Sequence, residues 1–407
     1  MTNRSPSDQP PRGLSCLQTI GAILAAVALA IAGLLAGASG IDVGGSVPAT
    51  PQVVLPFPTA IVAAPQPGVT AFTLPQGFGA RSGFWQVFFT APTGSSDRST
   101  YRDGIETQLA AAIDSAQRSI DIAAYEFNLP LLTDALIRAY RRGVRVRMVT
   151  DDDAGLRATS ATVGQLVAAG IPVVDDARRA LMHNKFVIID DLFVWTGSWN
   201  FTENDTYRNN NNMIVLRSQA AVDNFEAEFN EMFEQRRFGP SSPSRTPRPD
   251  FRQDGTPILT YFAPEDDVLD AILRAVGGAQ RSIRFMVFSF TVDPIAQTIL
   301  QRAANGVTVQ GIFETVGSET QFSELRPLYC AGLDARQDGN PYRLHHKVFI
   351  IDDETIFTGS FNVSANAVES NDENLLIITD RALAAQYIAE FDRRWAEARL
   401  PQGLTCN

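Results

Sequence analysis

Apolar residues recur along this chain in two rhythms. Unbroken runs such as SIDIAAYEF at 119–127 and SIRFMVFSF at 282–290 predict strands buried on both faces. Residues 105–116, 131–142, 268–276 and 295–304 space their apolar positions as helices, and Gly143 and Gly306 close the second of each pair. VRVRMVT and VTVQGIF follow as strands, FWQVFFTAP and ILTYFAP precede the series, and KFVIID and KVFIID continue it. Each series ends in a helix with an aromatic stripe, Phe225, Phe229 and Phe233 in one and Tyr387, Phe391 and Trp395 in the other, which predicts core packing.

The order is the same twice because the chain is duplicated. AQRSI stands at 116–120 and at 279–283, an offset of 163 that also relates Gly143 to Gly306. From His183 onward the offset is 162 and relates it to His345, Gly197 to Gly359, and Asn200 to Asn362. Agreement over so long a stretch marks a repeat of whole domains. The expected architecture is α/β: two tandem α-β-α sandwich domains, 81–238 and 257–407, joined by a Pro/Ser/Arg-rich linker at 239–256 and related by a pseudo-twofold axis.

The N-terminus follows another pattern. After a polar tail at 1–16, residues 17–38 carry no charge and are long enough to cross a bilayer as one hydrophobic helix. Arg4 and Arg12 before it and Asp42 after it favour an inside N-terminus, with the bulk of the chain outside the cytoplasm on a single-pass membrane anchor. Ala36-Gly37-Ala38 also fits a signal-peptide cleavage site, which would give a secreted protein. Residues 39–80, rich in proline, read as an extended spacer. In an exported chain Cys330 and Cys406 are free to bridge, two free thiols being the alternative.

Charge and rare residues then narrow the chemistry. A net charge of −11 argues against a general nucleic-acid coat. Positive charge is almost wholly arginine, yet the chain's two lysines, Lys185 and Lys347, each stand two residues after a histidine, His183 and His345. The third histidine, His346, lies inside the second pair and reads as structural or pocket-lining. HNKFVIIDDLFVWTGSWN from His183 to Asn200 and HHKVFIIDDETIFTGSFN from His345 to Asn362 share His-x-Lys, an aspartate (Asp190, Asp352) and Gly-Ser-x-Asn through Ser198 and Ser360. On a strand, residues two apart point to one face, so His and Lys project together, and the Gly-Ser turn brings Asn back beside them. Two such sets suit phosphodiester cleavage without a metal. One imidazole attacks phosphorus, the other protonates the leaving alkoxide, and the lysines and asparagines hold the non-bridging oxygens.

These doubled motifs resemble those of the phospholipase D superfamily, from Phe84 to Arg399. The resemblance implies a phosphohistidine intermediate, no cofactor and no metal, one site shared by both halves, and a mainly structural motif aspartate. It also implies an acidic residue 28 positions after each histidine to orient the ring. Glu373 stands there in the second repeat but Asn211 in the first. Paired in this way, these residues favour His345 with Glu373 as the general acid and His183 with Asn211 as the nucleophile, the opposite assignment being the alternative because a carboxylate also sharpens a nucleophile. The expected substrate is a phospholipid met at the membrane, with an extracytoplasmic DNA or RNA endonuclease second and a cardiolipin-synthase-like transferase third. No obligate protein partner is implied, and a monomer suffices.

Blander readings attach to the other features. Asp151, Asp152 and Asp153 read as a solvated loop or a substrate contact, since the second repeat has Glu314-Thr315-Val316 there. Arg178, Arg179, Arg208 and Arg343 make a basic mouth or ordinary surface. The sequons beginning at Asn200 and Asn362 are discounted because the motif needs both asparagines.

Overall fold

The first sheet is built outward from the apolar runs. A computed structural model describes residues 66–406. β4 (Ser119–Ala124), buried throughout, lies beside β7 (Lys185–Ile189), β8 (Phe193–Gly197), β10 (Asn212–Leu216) and β3 (Trp85–Thr90) on one side. On its other side β5 (Arg145–Thr150) and β6 (Val173–Asp175) run parallel to it. The second sheet repeats that order with β12 (Thr256–Ala263), β19 (Glu373–Thr379), β18 (Thr355–Gly359), β17 (Lys347–Ile351), β13 (Ser282–Val287), β14 (Thr308–Phe313) and β15 (Asp334–Gln337). Both repeats fall within one compact unit.

Strand alternation sorts side chains into layers. Phe186 and Ile188 of the first sheet and Val348 and Ile350 of the second belong to a single central core. Between the sheets lie α5 (Gln219–Phe233) and α10 (Arg381–Glu397), which bring Phe225, Phe229, Tyr387 and Phe391 to that core. The opposite faces bury Val187 with Leu109 of α1 (Glu106–Ser115) and Leu136 of α2 (Pro130–Arg141), and Phe349 with Ile272 of α6 (Val268–Gly277) and Ile299 of α7 (Asp293–Ala304). The expected stripes are therefore core, and the two sandwiches share their inner layer.

Two expectations about segments change. The spacer ends before 80: β1 (Thr70–Leu74) and β2 (Gly77–Ser82) extend the first sheet beyond β3, Thr70 facing Arg81 and Phe78 facing Phe89. Alternation within TAFTL and GFGARS was hidden by glycines; a Cβ on Gly79 would lie 2.3 Å from the Phe72 ring. The linker is likewise structured, since β11 (Asp250–Gln253) pairs with β12 and Asn224 exchanges hydrogen bonds with the Arg248 backbone. Cys330 and Cys406 are disulfide-bonded, tying the C-terminus to the helix Leu325–Cys330. Among the described residues no helix is long and apolar enough to cross a membrane; the tail 1–16 and the apolar stretch 17–38 lie outside them.

Candidate active site

β7 and β17 sit centrally in their sheets and deliver the lysines into fully packed surroundings: Lys185 is 0% and Lys347 3% exposed. Each ammonium donates to the carbonyl of its own motif histidine, Lys185 Nζ to His183 O at 2.7 Å and Lys347 Nζ to His345 O at 2.9 Å. Each also lies 5.0 Å from an aromatic centroid, Tyr125 for Lys185 and Phe288 for Lys347, a cation–π contact. The same rings stand 4.8 Å from the imidazoles of His183 and His345. In the sequence Tyr125 and Phe288 read only as ends of buried strands. Their shared offset of 163 was the available signal.

The middle residue of His-x-Lys takes the opposite strand parity and faces the central helices. Asn184 Nδ2 donates to Glu228 of α5 at 3.3 Å, and His346 Nε2 lies 3.1 Å from Glu390 of α10. His346 is therefore structural, its Nδ1 meeting Asn212 Nδ2 at 3.1 Å.

The orienting pairs run between the repeats, which corrects the pairing expected within them. His183 Nδ1 lies 2.7 Å from Glu373 Oε2, and His345 Nδ1 lies 2.9 Å from Asn211 Oδ1 and 3.1 Å from the Ser198 carbonyl. Backbone pairing imposes the exchange. The His183 N–H donates to Asp372 O at 2.9 Å, and the His345 N–H donates to Asn210 O at 2.9 Å. Short parallel bridges, Met182 with Asp372 and Leu344 with Asn210, carry these contacts. Each histidine is thus zipped beside the residue preceding the other repeat's Asn211 or Glu373. The ground for giving His345 the acid's job and His183 the nucleophile's job falls with the old pairing. Both rings have Nδ1 engaged, which leaves Nε2 for chemistry.

The Gly-Ser turns set the other partners. Ser198 Oγ donates to Asn211 Oδ1 at 2.8 Å, and Ser360 Oγ to Glu373 Oε2 at 2.7 Å. A Cβ on Gly197 would lie 2.3 Å from Asn212 O, and Gly359, at φ +144°, has the same clash with Asn374 O. Asn200 and Asn362 follow these turns, and the Oδ1 of each is buried without a hydrogen-bond partner.

Burial dominates the electrostatics. It lowers both catalytic-motif imidazoles well below their ordinary value, and the two lysines push the same way. Burial also brings Lys185 down to about 8, opposed by Glu373, and Lys347 down to about 7, assisted by Lys185. Glu373 is pushed up to about 8 by burial, with Lys185 and Ser360 opposing.

The remaining candidates serve the frame. Asp190 accepts from the amides of Gln117, Arg118 and Ser119 at 2.9, 2.6 and 3.1 Å, and Asp352 from those of Gln280, Arg281 and Ser282 at 2.8, 2.6 and 2.9 Å. They sit at the far ends of β7 and β17 from the histidines, which explains why AQRSI repeats. Arg178 binds Asp372 and the Ser370 carbonyl across the repeats, Arg208 lies over Tyr342, Arg343 stands 3.6 Å from Glu314, and Arg179 is exposed. Asp151, Asp152 and Asp176 each offer a carboxylate oxygen within 4.8 Å of the others. Asp151, however, accepts from the amides of Asp153, Ala154 and Met182, while Arg157 binds Asp152 at 2.5 Å and Arg178 stands 3.6 Å from Asp176.

Residues 109–233 and 272–395 match the sequence profile of the family described as "Cardiolipin synthase, PLD-like domain", once per repeat. The mitochondrial cardiolipin hydrolase of Xenopus tropicalis is 33% identical over 132 residues, 32% of this chain and 63% of the relative. The phospholipase D of Rickettsia conorii is 38% identical over 139 residues, 34% of this chain and 70% of its own length. This chain thus spans somewhat under two thirds of the first of these relatives. Phosphatidylserine synthase of Haemophilus influenzae superposes with a TM-score of 0.58 at 15% identity, over 74% of this chain and 86% of its own, a likeness of fold. The chain belongs to the phospholipase D superfamily.

Proposed function

We propose that this protein is a phosphodiesterase of phospholipase D type, acting on phospholipids through a phosphohistidine in one site shared by both repeats. The observation that carries the reading is the crossed support: each imidazole's Nδ1 is held by the opposite repeat, so neither motif is complete alone. In the first step Nε2 of one imidazole bonds to phosphorus as the bond to the leaving oxygen breaks, and the other imidazolium gives that oxygen its proton. In the second step the now neutral imidazole takes a proton from water, whose oxygen displaces the histidine. Lys185, Lys347, Asn200 and Asn362 stabilise the charge on the non-bridging oxygens, so the reading requires no metal. The diester's negative charge also opposes the lysines' effect on the imidazoles and so favours protonation of one of them on binding.

A lipid is favoured over nucleic acid by the net charge of −11 and by relatives named phospholipase D and cardiolipin hydrolase. We further infer that the apolar stretch 17–38 brings the site to a membrane with the enzyme on the extracytoplasmic side, a compartment that suits the Cys330–Cys406 bridge. The test is turnover by the full chain in EDTA, offered phosphatidylcholine or cardiolipin vesicles and, separately, plasmid DNA. Lipid cleavage is expected, and His183→Ala or His345→Ala should each reduce it on the order of 1000-fold or more. DNA cleavage without lipid turnover would replace the lipid reading with the nuclease one, and no turnover of either would sink both.

A further inference from the structure

The repeats disagree about where they keep an acid. At the position of Glu373 the first repeat has Asn211, and at the position of Ala367 it has Asp205, both by the offset of 162. Each repeat therefore sets a carboxylate beside a motif histidine, but from a different position. Ala367 is completely buried on the helix Ala365–Glu369, whereas Asp205 on the equivalent helix, Glu203–Tyr207, is 3% exposed. Its Oδ2 lies 3.7 Å from His345 Nδ1 and accepts the Asn200 N–H at 3.0 Å, while Asn209 Nδ2 donates to Oδ1. Asn211 joins the arrangement at both ends: Nδ2 donates to the Asp205 carbonyl at 3.0 Å and Oδ1 faces His345 at 2.9 Å.

We propose that Asp205 is a positioning residue that has taken over the role of the carboxylate missing from position 211, standing beside His345 as Glu373 stands beside His183. Asn211 keeps the direct contact that fixes the ring, and Asp205, one shell of atoms away, provides the charge. The groups facing His345 are Lys347 and His346 from its own segment and Lys185, His183 and Asp205 from the opposite repeat. Asp205 itself faces Lys347, Lys185 and Glu126. It is the carboxylate paired with His345 in a surround of Lys347, Lys185, His183 and His346; burial raises its own carboxyl, and Asn209 and Lys347 oppose that rise.

The proposal rests on the phosphodiesterase reading for one arm of its test only. In the full chain, Asp205→Asn keeps the shape and removes the charge. The limb of the kcat/KM–pH profile set by His345, read on bis(p-nitrophenyl) phosphate, should move to lower pH by about one unit or more. Adding Asn211→Glu to that variant should move the limb back, because a carboxylate is restored by the other route. NMR titration of the imidazole nitrogens in saturating inorganic phosphate reads the same shift at His345 without turnover. An unmoved limb and an unmoved His345 titration in Asp205→Asn would overturn the proposal, as would a shifted limb that Asn211→Glu leaves in place while thermal melts show a folded protein. If the wild type cleaves no phosphodiester, the function reading fails and the NMR arm alone decides this one.

Discussion

At the residue scale, the scarcity of lysine becomes a steric statement. Lys185 and Lys347 are each enclosed between an aromatic face and a carbonyl two residues back. A compact ammonium fits that slot and still offers donors to an oxygen; a planar guanidinium needs more room and a different geometry. Lys185→Arg and Lys347→Arg should therefore each lower kcat/KM on the order of 100-fold with melting temperature little changed, measured by steady-state kinetics beside thermal melts. The six motif residues were legible in the sequence because duplication shows each of them twice. The histidines' partners were not. The spacing of 28 places Glu373 and Asn211 beside their own histidines, and only the backbone bridges between repeats reveal that the contacts cross.

At the element scale, Asp190 and Asp352 hold the turn that admits β4 and β13 to their sheets. Truncating either to Ala strands three backbone donors and should cost about 1–3 kcal/mol, read as a lower urea midpoint, with kcat nearly unchanged at low temperature. Partial burial works against ionisation, but the backbone amides prevail and both carboxyls are held below their ordinary value. The linked stability is present above the unfolded value of about 4 and lost as pH falls through the folded value, so each variant should flatten the acid side of the stability profile. Periodicity found the central strands and the long helices because both faces or one full stripe are apolar. It missed β1 and β11, which have no buried position, and β2, whose buried positions are two glycines and an alanine; all three take their meaning from the neighbours they extend.

At the scale of the whole molecule, the shared inner layer contains unequal acids. Glu390 on α10, despite burial, is held down to about 2 by Arg394 and Arg393. Its counterpart Glu228 on α5 is instead raised by burial and by Glu265, which arrives from the second repeat and is itself pushed up to about 8 by burial. A carboxyl raised on folding keeps a proton that the unfolded chain releases, so this contribution is whole at pH below about 4 and is lost as pH rises through about 8. Melting temperature should fall by a few degrees between mildly acidic and mildly alkaline buffer. Glu265→Gln, which keeps a donor without the titration, should remove most of that fall.

The bridges that seat each histidine against the opposite repeat also fix what evolution was able to try. In an assembly of two identical chains, any substitution beside the site arrives on both sides at once, so a carboxylate moved on one side is moved on the other. Fusion into a single chain removes that constraint. Asp205 and Ala367, or Asn211 and Glu373, are free to drift apart because each is encoded separately while each histidine's support still draws on the other repeat. The cost is dependence: neither repeat owns a finished histidine, and a change tolerated in one is judged by a ring belonging to the other.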